Sequence, residues 1–228
     1  MDIHVLTLFP EMFTGVFEHS MPRIAQEQGQ LRLITHNLRD WSPDAKHHKV
    51  DDTPYGGGPG MVIKCDCVFP AVEAINARCS AGLRRILLTP AGRRMDQKWI
   101  RALSSEAEVL LIAGRYEGFD ERIIEGLALE EVSIGDYVLS GGEIAAMAVI
   151  DAVARLLPGV LGDAQSAELE SFEGGLLDYP VYTRPALYRE WAVPEVLLSG
   201  HEARIKAWRL EQARRKTAKF RGDLLCGS

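Results

Sequence analysis

Apolar and polar positions fall into short blocks along the chain, and most blocks carry a readable period. Residues 5–9, "VLTLF", form an apolar run closed by Pro10, which predicts a buried strand followed by a short helix. Residues 31–37, "LRLITHN", alternate with period two and predict a second strand. Residues 47–62, "HHKVDDTPYGGGPGMV", carry neither period and predict a long loop, a kind of segment that is usually functional or mobile inside a compact domain. Helical spacing returns over residues 67–78. Three strand-plus-turn units follow: "RRILLTPAG" (84–92), "EVLLIAGRYEG" (108–118) and "EEVSIGDYVLSGG" (130–142). Helices are predicted after them over residues 97–103, 120–127 and 143–157. Strands that alternate with helices predict an α/β fold with an open parallel sheet covered on both faces. Past Pro158 the period is lost, and from about Tyr182 the chain reads as helical and basic, which predicts a second, smaller domain.

In open α/β sheets ligands sit beyond the carboxyl ends of the strands. The turns predicted at that edge hold Gly92, Gly114, Gly141 and Gly142. Bare backbone there can lie against a flat ring or ribose and read its edge through peptide N–H and C=O groups. The same glycines are also explained by turns that need a positive φ, and residue types alone leave both readings open. Common phosphate and hydrolase signatures are absent. "YGGGPGMV" lacks the G-K-[ST] of a P-loop, and Met61 stands where the third glycine of G-x-G-x-x-G belongs. There is no G-x-S-x-G and no H-E-x-x-H, and the adjacent His47 and His48 point apart in most backbones. No side-chain cluster specifies a metal.

Composition narrows the class further. Of the 228 residues, 46% are hydrophobic and 25% charged, an ordinary balance for a soluble globular chain. No apolar run reaches the roughly 18 residues of a membrane span, so no membrane partner is expected. The start, "MDIHVLTLFP", has no basic leader, and Cys65, Cys67, Cys79 and Cys226 include no C-x-x-C pair. A cytoplasmic chain with reduced thiols is expected. Charge is uneven. Between His201 and Arg221 eight basic side chains face only Glu202 and Glu211, so this segment is +6 in a chain of −6 and the rest carries −12. Such a tail suits a polyanion or simply a solvated helix face. Trp208 and Phe220 within it could stack on bases or pack onto their own domain.

Four long motifs, in order, carry a resemblance: "DDTPYGGGPGMV", "GRYEGFDERI", "SIGDYVLSGGE" and "LLDYPVYTRP". Together they resemble the signatures of the bacterial tRNA (guanine-N1)-methyltransferase (TrmD) family, over most of the chain. The resemblance implies a SPOUT fold: a parallel sheet with a C-terminal trefoil knot, then a linker and a small helical domain. It implies a methyltransferase domain over 1–160, a flexible linker over 161–181 and a basic tRNA domain over 182–228. It also implies a cytoplasmic homodimer with a composite active site, S-adenosylmethionine as cofactor, magnesium as an assisting ion and tRNA as substrate. The guanine 3′ of the anticodon would be the target.

By the same resemblance, Leu88, Thr89, Pro90 and Gly92 of the first turn, Gly114, Tyr116 and Glu117 of the second, and Ile134, Gly135, Asp136, Tyr137, Val138, Leu139, Gly141 and Gly142 of the third hold the cofactor. Methylating guanine N1 requires removal of its proton and stabilisation of charge developing at O6. The family places an aspartate before Ser-Phe in the linker as the base. This chain reads "ELESF", with Glu170 at that position and Glu168 as a nearby competitor. Arg155, four residues after Asp151, is implied near O6, and an i, i+4 ion pair with Asp151 is compatible with that role. Glu117 would meet the cofactor's sulfonium or amino group, or else cap the next turn. Asp51, beside Asp52, would contact target nucleotides, and Arg184, Arg204 and Arg209 would bind tRNA phosphate. Thr183 precedes Pro185 and is read either as an RNA contact or as a plain helix N-cap. Two other readings stay open: a SPOUT enzyme with another target, such as a ribose hydroxyl, and a cofactor- and RNA-binding protein silenced by the change to Glu170.

Overall fold

The computed structural model describes residues 1–79, 82–161 and 171–225. Its contacts divide the chain into two compact units, Met1–Gly162 and Asp163–Ser228.

The first unit is built on a five-stranded sheet: β1 (Asp2–Thr7), β2 (Arg32–Asn37), β5 (Arg84–Arg94), β6 (Glu108–Ala113) and β7 (Glu130–Ser133). Its order is β2-β1-β6-β5-β7, and every neighbouring pair is parallel. Alternation along the strands sends side chains to two cores. Ile3, Val5, Val109, Leu111, Ile86 and Leu88 face one, with Ala25 of α1 (Ser20–Glu27), Ile100 of α3 (Gln97–Leu103) and Val149 of α5 (Glu143–Ala154). Leu6, Leu110, Ile112 and Leu87 face the other, with Val72 of α2 (Cys65–Asn76) and Ile123 of α4 (Glu121–Leu127). Helices on both faces leave only the strand ends open, which is the α/β arrangement that the pattern predicts.

Three elements depart from the sequence expectations. β1 begins three residues early, at Asp2, because the polar His4 is 6% exposed and bonds through Nδ1 to His36 Nε2 on β2 at 2.9 Å. The glycine-rich loop is closed by a short hairpin, β3 (Asp51–Asp52) against β4 (Val62–Ile63). β5 does not stop at Gly92. It pairs with β7 up to Leu88↔Val132, breaks register, and resumes at Arg93↔Val132. Gly92 passes so close to β7 that a Cβ there would lie 2.3 Å from the Val132 nitrogen.

In the second unit, residues 171–180 bond to one another and to the long basic helix α7 (Glu202–Phe220). Leu177 N–H donates to Thr217 Oγ1 at 2.9 Å, Asp178 N–H to Ser171 Oγ at 3.0 Å, and the Arg221 guanidinium lies 5.5 Å from the Phe172 ring. The helix expected to start after Thr183 does not form. The chain instead makes a hairpin, β8 (Leu187–Tyr188) with β9 (Trp191–Ala192), and the short α6 (Glu195–Leu198) starts after Pro194. Thr183 is therefore no N-cap; it is exposed in a segment without regular secondary structure.

Candidate active site

Residues 87–91 within β5 and the turns after β6 and β7 converge on one cavity of about 400 Å³ at the carboxyl edge of the sheet, within the usual range for small-molecule sites. Of the residues predicted for the cofactor, Leu88, Thr89, Pro90, Gly114, Tyr116, Glu117, Ile134, Gly135, Tyr137, Val138, Leu139, Gly141 and Gly142 line it. Gly92 and Asp136 do not. Gly92 is spent on the close pass beside Val132, and Asp136 is 90% exposed, 3.9 Å from Arg94 Nη1. Tyr137 and Val138 are largely exposed, so this wall presents apolar surface to solvent.

The glycines are needed mainly by the protein's own packing, against backbone at Gly142 and against side chains at Gly114 and Gly141. A Cβ on Gly142 would lie 2.8 Å from Ala113 Cα, and Gly142 N–H donates to Gly114 O at 2.8 Å. A Cβ on Gly114 would strike the Phe119 ring at 2.2 Å. A Cβ on Gly141 would meet both Arg115 Nε and Glu143 Oε2 at 2.5 Å. The bare backbone expected to admit a ligand thus first lets the loops stack on one another. Their outer surface becomes the cavity wall.

Beneath that wall lies a charged cluster that sequence reading passed over. Glu143, the first residue of α5, is fully buried. Its Oε1 accepts from Thr7 Oγ1 at 2.9 Å, and its Oε2 accepts from Arg115 Nε at 3.0 Å. Arg115 Nη1 donates to Ser140 O at 3.4 Å and Nη2 to Met12 Sδ at 3.2 Å, with the guanidinium 4.6 Å from the Phe9 ring centroid. The available signals were an acid opening an apolar helix, where the helix dipole favours it, and an arginine directly beside Tyr116, a residue predicted for the cofactor.

The glycine-rich loop joins the same edge. Glu117 N–H donates to Met61 O at 3.0 Å, Ile63 N–H to Gly118 O at 2.9 Å, and Asp120 N–H to Ile63 O at 3.0 Å. Gly60, at φ +83, sits where a Cβ would lie 2.4 Å from Glu117 Cγ. Glu117 does not cap the next helix. Asp120 does, accepting from Arg122 N–H, and the Arg122 side chain holds its carboxyl well below the usual carboxylate range. Asp51 is half-buried in β3, opposite Ile63, and Asp52 pairs with Lys49 at 3.6 Å.

Arg155 is not at this cavity. It follows the C-terminal end of α5, while the cavity touches Gly142 and Ala145 at the other end. A helix of 12 residues spans about 18 Å. Its backbone N–H bonds to Asp151 O at 3.4 Å. Glu170 and Glu168 lie outside the described residues.

In the second unit a cavity of about 370 Å³ gathers Thr183, Arg184 and Arg209 with Tyr179 and Tyr182. The Arg209 guanidinium stands 4.8 Å from the Tyr179 ring, and Tyr182 tilts against Trp208, so this tryptophan packs within its own unit. Arg204 is exposed on α7 and does not line that cavity. Asp178 Oδ1 is buried and has no hydrogen-bond partner among the described residues. No described group of three His, Cys, Asp or Glu could hold a metal ion, and no described helix is long and apolar enough to cross a membrane. Burial pushes the Cys67 thiol up to about 11, which keeps it protonated and unreactive.

A parallel α/β sheet with glycine-bearing loops stacked around a cavity at its carboxyl edge is the arrangement in which α/β proteins hold small ligands. The model of the family described as tRNA (Guanine-1)-methyltransferase TrmD matches residues 1–226, and the chain belongs to that family. Among similar proteins, one from Dehalococcoides mccartyi is 53% identical over 225 residues, covering 99% of this chain and 90% of its own. One from Rhodopirellula baltica is 49% identical over 227 residues, covering 99% and 94%. One from Pseudomonas syringae pv. tomato is 53% identical over 226 residues, covering 98% and 89%. All three carry the name tRNA (guanine-N(1)-)-methyltransferase.

Proposed function

We propose that this protein is a tRNA (guanine-N1)-methyltransferase that uses S-adenosylmethionine and acts on the guanine 3′ of the anticodon, in the cytoplasm. The observation that carries this reading is the cavity made by residues 87–91 and the glycine-bearing turns after β6 and β7, in a chain whose family and relatives share that description. Volume, backbone-rich walls and the carboxylate of Glu117 fit a purine nucleoside bearing a sulfonium. When bound, S-adenosylmethionine supplies an electrophilic methyl group. Peptide groups of Ile134, Gly135, Tyr137 and Leu139 would hold its adenine, with Leu88 to Pro90 completing the wall, and Glu117 would meet its positive charge. The register break of β5 and the pass of Gly92 beside Val132 support reading these loops as the SPOUT knot.

Glu170 takes the proton from guanine N1, and Arg155 faces the charge developing at O6. Because Arg155 lies at the far end of α5 from the cavity, it serves the site only from a second copy of the chain. This supports a homodimer whose two sites each draw on both subunits. The division of labour follows: residues 1–160 hold the cofactor, 161–181 carry the base, and 182–228 meet tRNA. Arg184, Arg204, Arg209 and Thr183 contribute there, and Asp51 contacts the target nucleotides. Magnesium has no matching donor cluster among the described residues, so no step is assigned to it.

The test is nucleoside analysis. Purified protein incubated with S-adenosylmethionine and unmodified tRNA transcript should yield 1-methylguanosine on digestion. Glu170→Ala should lower the rate by about 10²–10⁴, the usual contribution of a general base, while leaving cofactor affinity intact. A methylated ribose instead would point to another target. Cofactor binding without any product, restored by Glu170→Asp, would mean a silenced enzyme.

A further inference from the structure

An arginine lining a ligand cavity is ordinarily read as an anchor for the ligand's anionic end. Arg115 has other commitments. Each of its three nitrogens donates to protein: Nε to Glu143 Oε2, Nη1 to Ser140 O and Nη2 to Met12 Sδ. Its side chain is 21% exposed and that of Glu143 is 1% exposed. Thr7, at the end of β1, takes the other carboxylate oxygen. The cluster therefore ties together three segments that are separate in sequence: the end of β1, the turn after β6, and the loop leading into α5. Gly141 crosses directly above the pair, and any side chain there would displace it.

We infer that the Arg115–Glu143 pair, held by Thr7, is a positioning clamp that fixes the 134–142 loop in its cofactor-binding shape. The inference rests on the cofactor reading above and adds residues whose polar groups are committed to the protein itself. Geometry gives the clamp a reason to be an arginine. A planar guanidinium reaches Glu143 and the Ser140 carbonyl at once, whereas an ammonium on a lysine stem is a single point that cannot hold both. Burial gives it a reason to be charged on both sides, because a carboxylate without water is held in place by its donors. The Ser140 carbonyl then has a fixed direction, and so do the peptide groups from Ile134 to Leu139 that precede it.

Equilibrium binding of S-adenosylmethionine to the full chain, measured by isothermal titration calorimetry, tests the clamp. Wild type is measured first. No binding by wild type would overturn the cofactor reading and the clamp with it. Given wild-type binding, Arg115→Lys should bind about tenfold more weakly, the worth of one charge-assisted hydrogen bond. The double variant Arg115→Met with Glu143→Gln leaves no unpaired buried charge and should melt close to wild type. It should bind at least as weakly as Arg115→Lys. In turnover, the KM for S-adenosylmethionine should rise while kcat at saturating cofactor holds, since the lost interaction is one of ground-state binding. Lower kcat at unchanged KM would mean a smaller folded fraction, and would reduce the pair to scaffolding. Wild-type affinity in either variant would overturn the clamp alone.

Discussion

Gly92 and Val132 lie so close that a Cβ on the glycine would sit 2.3 Å from the Val132 nitrogen and 2.5 Å from the preceding carbonyl carbon. The contact is backbone on backbone, so neither side can turn away. Gly92 does not occupy the left-handed region, and its side-chain-free state is fixed by this crossing alone.

Gly92→Ala should therefore force the crossing strands apart. Overpacking of this kind costs about 1–3 kcal/mol, and the immovable partner puts it at the upper end. Thermal melting should show a clear fall in Tm, and cofactor affinity should fall with it because Leu88 to Pro90 line the cavity. An unchanged Tm would mean that β5 and β7 do not cross this closely.

Gly60 and Gly57 make a controlled pair. Both have positive φ, +83 and +79, so alanine strains the backbone about equally at each. Only Gly60 has a neighbour, Glu117 Cγ at 2.4 Å. Gly60→Ala should push Glu117 out of the cavity wall and weaken S-adenosylmethionine binding by about tenfold more than Gly57→Ala does. Calorimetric titration of both variants checks the difference, and equal affinities would remove Glu117 from the cofactor site.

A composite site can be tested by mixing inactive chains. Arg155→Ala and Glu117→Ala should each lose most activity in isolation. Co-refolded in equal amounts, half of the dimers carry one of each, and one site in each mixed dimer is then intact. Activity should return to roughly a quarter of wild type. No recovery would mean that Arg155 and the cavity serve the same subunit.

His4 and His36 stack at 5.2 Å and share one hydrogen bond. Burial, then the charge of His4 and of Arg78, hold His36 down to about 4 from 6.5, and burial also lowers His4. Between pH 6.5 and about 4 the unfolded chain thus binds more protons than the folded one, so stability rises with pH across that window. It should be lost as pH falls from 6.5, and the loss from His36 should level off near 4. Urea unfolding at several pH values should show it. His36→Gln, which cannot titrate, should flatten that part of the profile relative to wild type.

How much of this was legible in the sequence depends on the range of the determining contact. The helix over Gln97–Leu103 was readable because its apolar spacing and the Asp96 cap are local. The edge that carries the cavity was readable because strand-plus-glycine-turn patterns recur three times. The continuation of β5 past Gly92 was not, since pairing resumes only where β7 happens to lie. His4 hid the start of β1 because a buried polar residue breaks an apolar run unless its partner, 32 residues away, is known. Arg115 and Glu143 lie 28 residues apart, and no period links them. Residues 182–194 read as helical, yet Pro185 and Pro194 bracket a hairpin there; the prolines were the better guide.

The walls of the cavity come from residues 87–91, 114–124 and 131–145, and the last strand of the sheet, β7, is also the last to leave the ribosome. A nascent chain halted before Glu130 can assemble β1, β2, β5 and β6 but has nothing for residues 89–94 to run across. The cavity therefore cannot be complete until residues 131–145 are made, when β7 docks and α5 brings Glu143 to Thr7 and Arg115. Any small molecule that binds there stabilises only the finished arrangement, so its presence during translation should bias the final docking without helping any earlier intermediate.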